Sequence, residues 1–199
     1  MALSFKNILS NFLKNIDTST IDEFKTHISS SLKSRSKEIE IDYQSLSSDK
    51  FESSEDMEGY KLYLDDCAYF TDEMEKLSDE FLIMALYKQL ELHVKKATNR
   101  LAPSIDTTGF FNVGTLQKEL LKKMSINIKL LDSYAAFTEL REINNSIKHQ
   151  GVVSEKLAKA NSIWVEGQEL NNLSKTYERL KPEISKYVLN FVEELAKIP

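Results

Sequence analysis

The chain has 199 residues, 41% of them hydrophobic and 29% charged, enough apolar content for a real core and too much for a disordered polymer. Five glycines and three prolines leave little turn punctuation, which argues against the many short strands of a sandwich or barrel. Cys67 stands alone, which excludes an internal disulfide and fits a reducing compartment, and the net charge of −5 is unevenly spread.

This length makes one domain or two small ones, with one the better expectation. Residues 1–80 carry a net −9, residues 81–160 a net +5 and residues 161–199 a net −1. A basic centre beside an acidic N-terminal part is compatible with an anionic ligand such as nucleic acid, or with compensation inside the fold. The opening MALSFKNILSNFLKNI has lysines inside it and no unbroken apolar run of signal-peptide type. The longest clean apolar run, FLIMALY at 81–87, is far too short to span a bilayer. The expectation is a cytoplasmic, soluble protein with no membrane contact.

In chain order, residues 3–16 place Leu3, Phe5, Ile8, Leu9, Phe12, Leu13 and Ile16 at helical spacing. A second helix is predicted over 21–33, with Thr20 as N-cap and Glu23 three residues on. KEIEIDY, 37–43, alternates charged and apolar residues and reads as a strand, while the Ser- and acid-rich 45–56 reads as an exposed loop. From 56 to 101 the chain is almost free of helix breakers and fits one very long helix, or two with a break near Leu77–Ser78. FLIMALY is apolar all round and is expected at the buried centre of a bundle. Tyr60, Tyr63, Tyr69 and Phe70 fall at helical spacings and are expected in the core. The acidic groups at 64–66 and 71–80 read as a solvated face.

Residues 102–114, with Pro103 and two glycines, form a connection. Helices over 115–124 and 130–149 follow, then a looser segment holding Trp164, then a helix over 173–197 with Pro182 in its first turns or at a kink. The fold class is all-α, a helical bundle of about six helices with a long central helix.

No P-loop, GxGxxG or GxSxG is present, so nucleotide hydrolysis, dinucleotide cofactors and α/β-hydrolase chemistry have no support. The histidines, His27, His93 and His149, lie on separate predicted helices without metal-ligand spacing, so no metal or cofactor is expected. Cys67 reads as a buried structural thiol.

One polar cluster remains, LREINNSIKHQG at 140–151. With Leu140 as origin and about 100° per residue, Ala136, Phe137, Ile143 and Ile147 share its core-facing direction. Asn144 lies about 40° off and borders the core; Lys148, Arg141, Asn145 and His149 follow at about 80°, 100°, 140° and 180°. Asn145 and His149 are one turn apart and can touch. A histidine can exchange protons near neutral pH, and Arg or Lys can stabilise charge growing on a phosphate. Ordinary capping also explains a Lys and His in a last turn ahead of Gly151.

LREINNSIKHQG resembles the end of the signature helix in the HEPN superfamily (higher eukaryotes and prokaryotes nucleotide-binding domains), and DEFLIMALYKQLELHVKKATNRL resembles the long helix that precedes it. The resemblance covers residues 58–197. It implies a HEPN-like helical bundle over 58–199, behind an N-terminal helical extension and acidic, Ser-rich loop at 1–57. Many members of that family are metal-independent endoribonucleases of toxin–antitoxin or antiphage defence systems, with two copies of the motif meeting across a dimer. The resemblance implies His149 as general acid or base, Asn145 as the residue orienting it or the phosphate, and Arg141 as the stabiliser of transition-state charge. Lys148 and Asn144 would help bind substrate. RNA, a second copy of the chain, and an antitoxin or defence-system protein are the implied partners. Seven residues separate Arg141 from His149, one more than the family's usual maximum, so Arg141 fits only through the reach of its side chain. The alternative is a non-catalytic helical module that binds RNA, nucleotide or protein as a regulatory dimer.

Overall fold

A computed structural model describes residues 5–107, 113–149 and 151–197. Seven α-helices occur among them: α1 (Phe5–Leu13), α2 (Ser19–Gln44), α3 (Ser54–Leu101), α4 (Val113–Met124), α5 (Tyr134–His149), α6 (Glu155–Ala160) and α7 (Leu173–Ala196). Short 3-10 turns lie at Ser48–Lys50 and Ile128–Leu130. The only extended pairing among the described residues is an isolated bridge between Val152 and Glu169. The all-α class and the long helix are as expected, with seven helices where about six were read. No described helix is long and apolar enough to cross a membrane.

The chain packs as two compact units, residues 19–82 and residues 1–18 with 83–199. Packing therefore divides the chain after residue 82, whereas the resemblance implies a division after residue 57. Helix α3 is continuous over 48 residues, so of the two readings of 56–101 the unbroken helix holds.

In the unit of residues 19–82, α2 pairs with the first part of α3. Leu32 of α2 is buried, as are Leu64, Cys67, Thr71, Ser78 and Leu82 of α3. The Tyr43 hydroxyl donates to Asp65, and the Tyr60 hydroxyl to Asp42 at 3.5 Å. The hydrogen bond to Asp65 is the main reason the Tyr43 phenol is pushed up to about 12. Cys67 is a buried free thiol, as read.

Two expectations fail in this unit. KEIEIDY is the end of α2 and not a strand. No glycine or proline interrupts residues 19–44, so helical propagation continues through a Lys- and Glu-rich stretch of good helix formers. One-turn side-chain bonds, Ser34 to Glu38 and Gln44 to Glu40, support it. The aromatics expected in the core lie outside it: Tyr60, Tyr63, Tyr69 and Phe70 are all exposed. Two packed helices bury only a stripe of each other, and Leu64, Cys67 and Thr71 already fill it.

In the unit of residues 1–18 and 83–199, α7 supplies most of the core. Tyr177, Leu180, Ile184, Tyr187, Val188, Phe191, Val192 and Leu195 are almost wholly buried, at spacings of three and four. The Phe137 ring of α5 stacks on Tyr187, with centroids 4.9 Å apart and planes 12° apart. From α3, Ile83, Leu86 and Leu90 are buried, but Phe81, in the other unit, is exposed, so FLIMALY is not buried all round. Helix α1 is tied in by the Nε2 of His93, which donates to the Leu13 carbonyl at 2.7 Å, and by Lys14 to Glu193 at 3.0 Å. Of the 102–114 connection, residues 102–107 are non-helical, Val113 and Gly114 open α4, and 108–112 lie outside the described residues.

Candidate functional site

Helix α5 buries Phe137, Leu140 and Ile143, as its periodicity requires, while Ala136 and Ile147 are half-buried. It ends at His149, two residues before Gly151. Gly151 adopts φ +68°, and its N–H donates to the Ser146 carbonyl at 2.9 Å. A side chain there would meet no neighbour, so the need for glycine comes from the left-handed backbone. The chain then turns back. Val153 N–H donates to Gln168 O at 2.8 Å and Gly167 N–H to Val153 O at 2.9 Å. Ser154 caps α6 by accepting from Leu157 N–H, and the Ser146 hydroxyl donates to the Ser154 hydroxyl at 3.1 Å.

These turns enclose an open cleft of about 600 Å³ beside the end of α5. Asn145, Ser146 and His149 line it from the helix, Val152–Lys156 from the return, and Glu166 and Gly167 from the far loop. The structure therefore brings Asn145 and His149 into one cavity, with His149 exposed to solvent.

The other three residues singled out in the sequence do not line it. Lys148 is exposed. Asn144 is 1% exposed, and its Nδ2 finds no acceptor among the described residues. Arg141 is bound to its neighbour: Nε and Nη2 donate to one oxygen of Glu142 at 2.9 and 2.6 Å. The Glu142 side chain is itself buried, at 7% exposure, and lines the cleft. Arg141 thus does not line the cavity but is paired with a carboxylate that does.

Sequence reasoning did not single out the carboxylates. Besides Glu142, the cleft is edged by Glu155 and Glu166, against Lys156 and His149. Glu155 pairs with Lys159, which holds its carboxyl below the usual range, first through the hydrogen bond and then through the charge. Deeper in the fold, Glu139 is buried and fully engaged. It accepts from Trp164 Nε1 at 2.7 Å, from Asn161 Nδ2 at 2.9 Å, and from both terminal nitrogens of Arg179 at 3.0 and 2.6 Å. Burial pushes its carboxyl up, but the donors from Arg179, Asn161 and Trp164 outweigh burial and hold it below the usual range. This buried carboxylate fastens the 161–164 segment, and hence the chain returning to the cleft, against α5 and α7.

The arrangement can do proton transfer at His149 and hydrogen bonding at Asn145. Among the described residues no three His, Cys, Asp or Glu side chains gather closely enough to hold a metal ion. No family model, curated protein or solved structure matches the chain.

Proposed function

We propose that the chain is a HEPN-like helical protein that cleaves RNA at the Asn145–His149 cleft without a metal, as part of a bacterial toxin–antitoxin or antiphage defence system. The observation that carries this reading is the convergence of Asn145 and an exposed His149 on one open cavity. The resemblance of LREINNSIKHQG supports it. In this reaction His149 removes the proton of a ribose 2′-hydroxyl, and that oxygen attacks the adjacent phosphorus. The bond from phosphorus to the 5′-oxygen breaks, the leaving oxygen takes up a proton, and a 2′,3′-cyclic phosphate remains. Asn145 orients the imidazole or a phosphate oxygen. Arg141, turned from Glu142 toward the substrate, stabilises the added negative charge, with Lys148 beside it.

A second reading has its own observation. With Arg141 held by Glu142, and Glu155 and Glu166 on the rim, the cleft is less hospitable to a phosphodiester than a basic one. That favours a non-catalytic module whose cleft binds a protein or nucleotide partner.

The experiment is cleavage of labelled total RNA in EDTA by wild type and by His149→Ala. Cleavage by wild type only, leaving cyclic phosphate ends, is the expected result. His149 is exposed, so the substitution should leave the melting temperature within about a degree or two. Equal cleavage by both proteins removes His149 from catalysis, and cleavage by neither makes the binding module the better reading.

A further inference from the structure

Two of the aromatics that lie outside the core, Tyr63 and Phe70, belong to an organised surface. Tyr63, Phe70, Met74, Leu77 and Phe81 of α3 are each between 48% and 60% exposed. From Phe70 onward they are spaced four, three and four apart, and Tyr63 precedes Phe70 by seven. This is the spacing of a coiled-coil seam, which keeps one apolar stripe on a helix over several turns. The stripe lies beside the line of Leu64, Thr71, Ser78 and Leu82, which is already buried within the same unit. An open groove of about 630 Å³ lies along its Phe70–Leu77 part, lined by Arg35, Phe70, Glu73, Met74, Lys76, Leu77 and Glu80.

Asp66, Glu73 and Glu80 repeat every seven residues along the stripe's free flank, while Arg35 of α2 and Lys76, the latter paired with Glu73, are the basic residues of the groove. The whole unit 19–82 holds 17 acidic and 7 basic residues, a net −10. A second copy of this seam fits poorly. Antiparallel pairing sets the acidic flank against itself, and parallel pairing needs the opposite flank, where Thr71 and Ser78 are buried. An anionic lipid surface is repelled by the same carboxylates.

We infer that this face of α3 is a docking surface for a basic amphipathic helix of a partner protein. The partner's apolar stripe covers Phe70, Met74, Leu77 and Phe81, and its Lys or Arg residues meet Asp66, Glu73 and Glu80. Apolar anchors supply the affinity, and the charge pattern supplies partner choice and register. This surface does not depend on the reading of the Asn145–His149 cleft.

The test uses the full chain and a labelled synthetic helix of Leu and Lys, with Leu at alternating three- and four-residue spacing. Two control peptides accompany it: one with every Lys replaced by Glu, and one of the same composition with the order scrambled. Binding of the basic helix is expected, together with a loss of about tenfold or more in the double variant Phe70→Ser/Leu77→Ser. Glu73→Gln/Glu80→Gln is expected to weaken binding several-fold and reduce its salt dependence. Both variants alter exposed or half-exposed side chains, and circular dichroism checks that the helices persist. Equal binding of the scrambled peptide, undiminished binding by the Phe70/Leu77 variant, or preference for the Glu peptide would each overturn the assignment. Sedimentation showing a dimer of the chain that Phe70→Ser/Leu77→Ser dissolves would overturn it in favour of a second copy.

Discussion

At the scale of single residues, a densely bonded group is the Glu139 carboxylate, which no spacing or motif singles out. Glu139 sits one residue before Leu140 in a helix of mixed polarity, and its partners lie 22, 25 and 40 positions downstream. All four bonds come from donors, so an amide at this site sets its own N–H groups against N–H groups. Glu139→Gln should therefore destabilise the fold by about 3 kcal/mol in denaturant unfolding, the range expected when one partner of a buried pair is removed. The folded pKa lies below the unfolded one. The contribution is thus fully present above the unfolded value of about 4.5 and is lost as pH falls through the lowered folded value. The difference between wild type and Glu139→Gln should shrink in acid below about pH 4.5. A gap that stayed constant down to pH 2.5 would show that the charge contributes nothing and that only packing was disturbed. Arg141 shows the same limit of sequence reading in reverse. Its place on the polar flank of α5 was legible, but its capture by Glu142 was not, because adjacent residues on a helix point about 100° apart and only long side chains close that gap.

Among the helices, α7 is the most legible and carries the most informative irregularity. Its apolar spacing identifies the buried face without ambiguity, yet Pro182 lies inside it as the tenth residue of the helix. Proline lacks the N–H that would donate to Glu178 O, and its ring crowds that carbonyl. The side chain is exposed, so it contributes little packing in return. Pro182→Ala should stabilise the protein by about 1–2 kcal/mol, less than the full helix-interior penalty because the unfolded chain regains freedom. A fall in melting temperature would instead mean that the backbone geometry proline imposes is needed to bring Tyr177 and Leu180 against the core. Helix α2 overrides its own local alternation. The alternation of Ile39, Ile41 and Tyr43 fits a strand, but a strand without a partner strand satisfies none of its backbone groups, whereas continuing the helix satisfies nearly all of them. The exposed aromatics of α3 lie outside the core for a related reason. Helical spacing reports that a stripe exists, and the burial of Leu64 and Thr71 shows that a different stripe of the same helix meets α2.

Across the whole molecule, the two compact units carry opposite charge. Residues 19–82 are at −10, and residues 1–18 with 83–199 hold 19 basic against 14 acidic residues, a net +5. The sequence already showed an acidic beginning and a basic middle. The structure assigns each sign to a unit that packs by itself. The proposed RNA cleft lies in the basic unit and the proposed docking seam in the acidic one, an allocation that suits an anionic ligand and a cationic one. If the two surfaces act independently, their variants should not cross-react. Phe70→Ser/Leu77→Ser should leave RNA cleavage in EDTA within about twofold of wild type, and His149→Ala should bind the Leu–Lys helix as wild type does, since sites without shared partners behave additively. The double variant should lose both properties by the same factors as its parents. If the seam variant alone abolished cleavage while its circular dichroism stayed unchanged, the two surfaces would be energetically coupled. Saturating basic helix should then change the cleavage rate of the wild type and leave that of a seam variant unmoved.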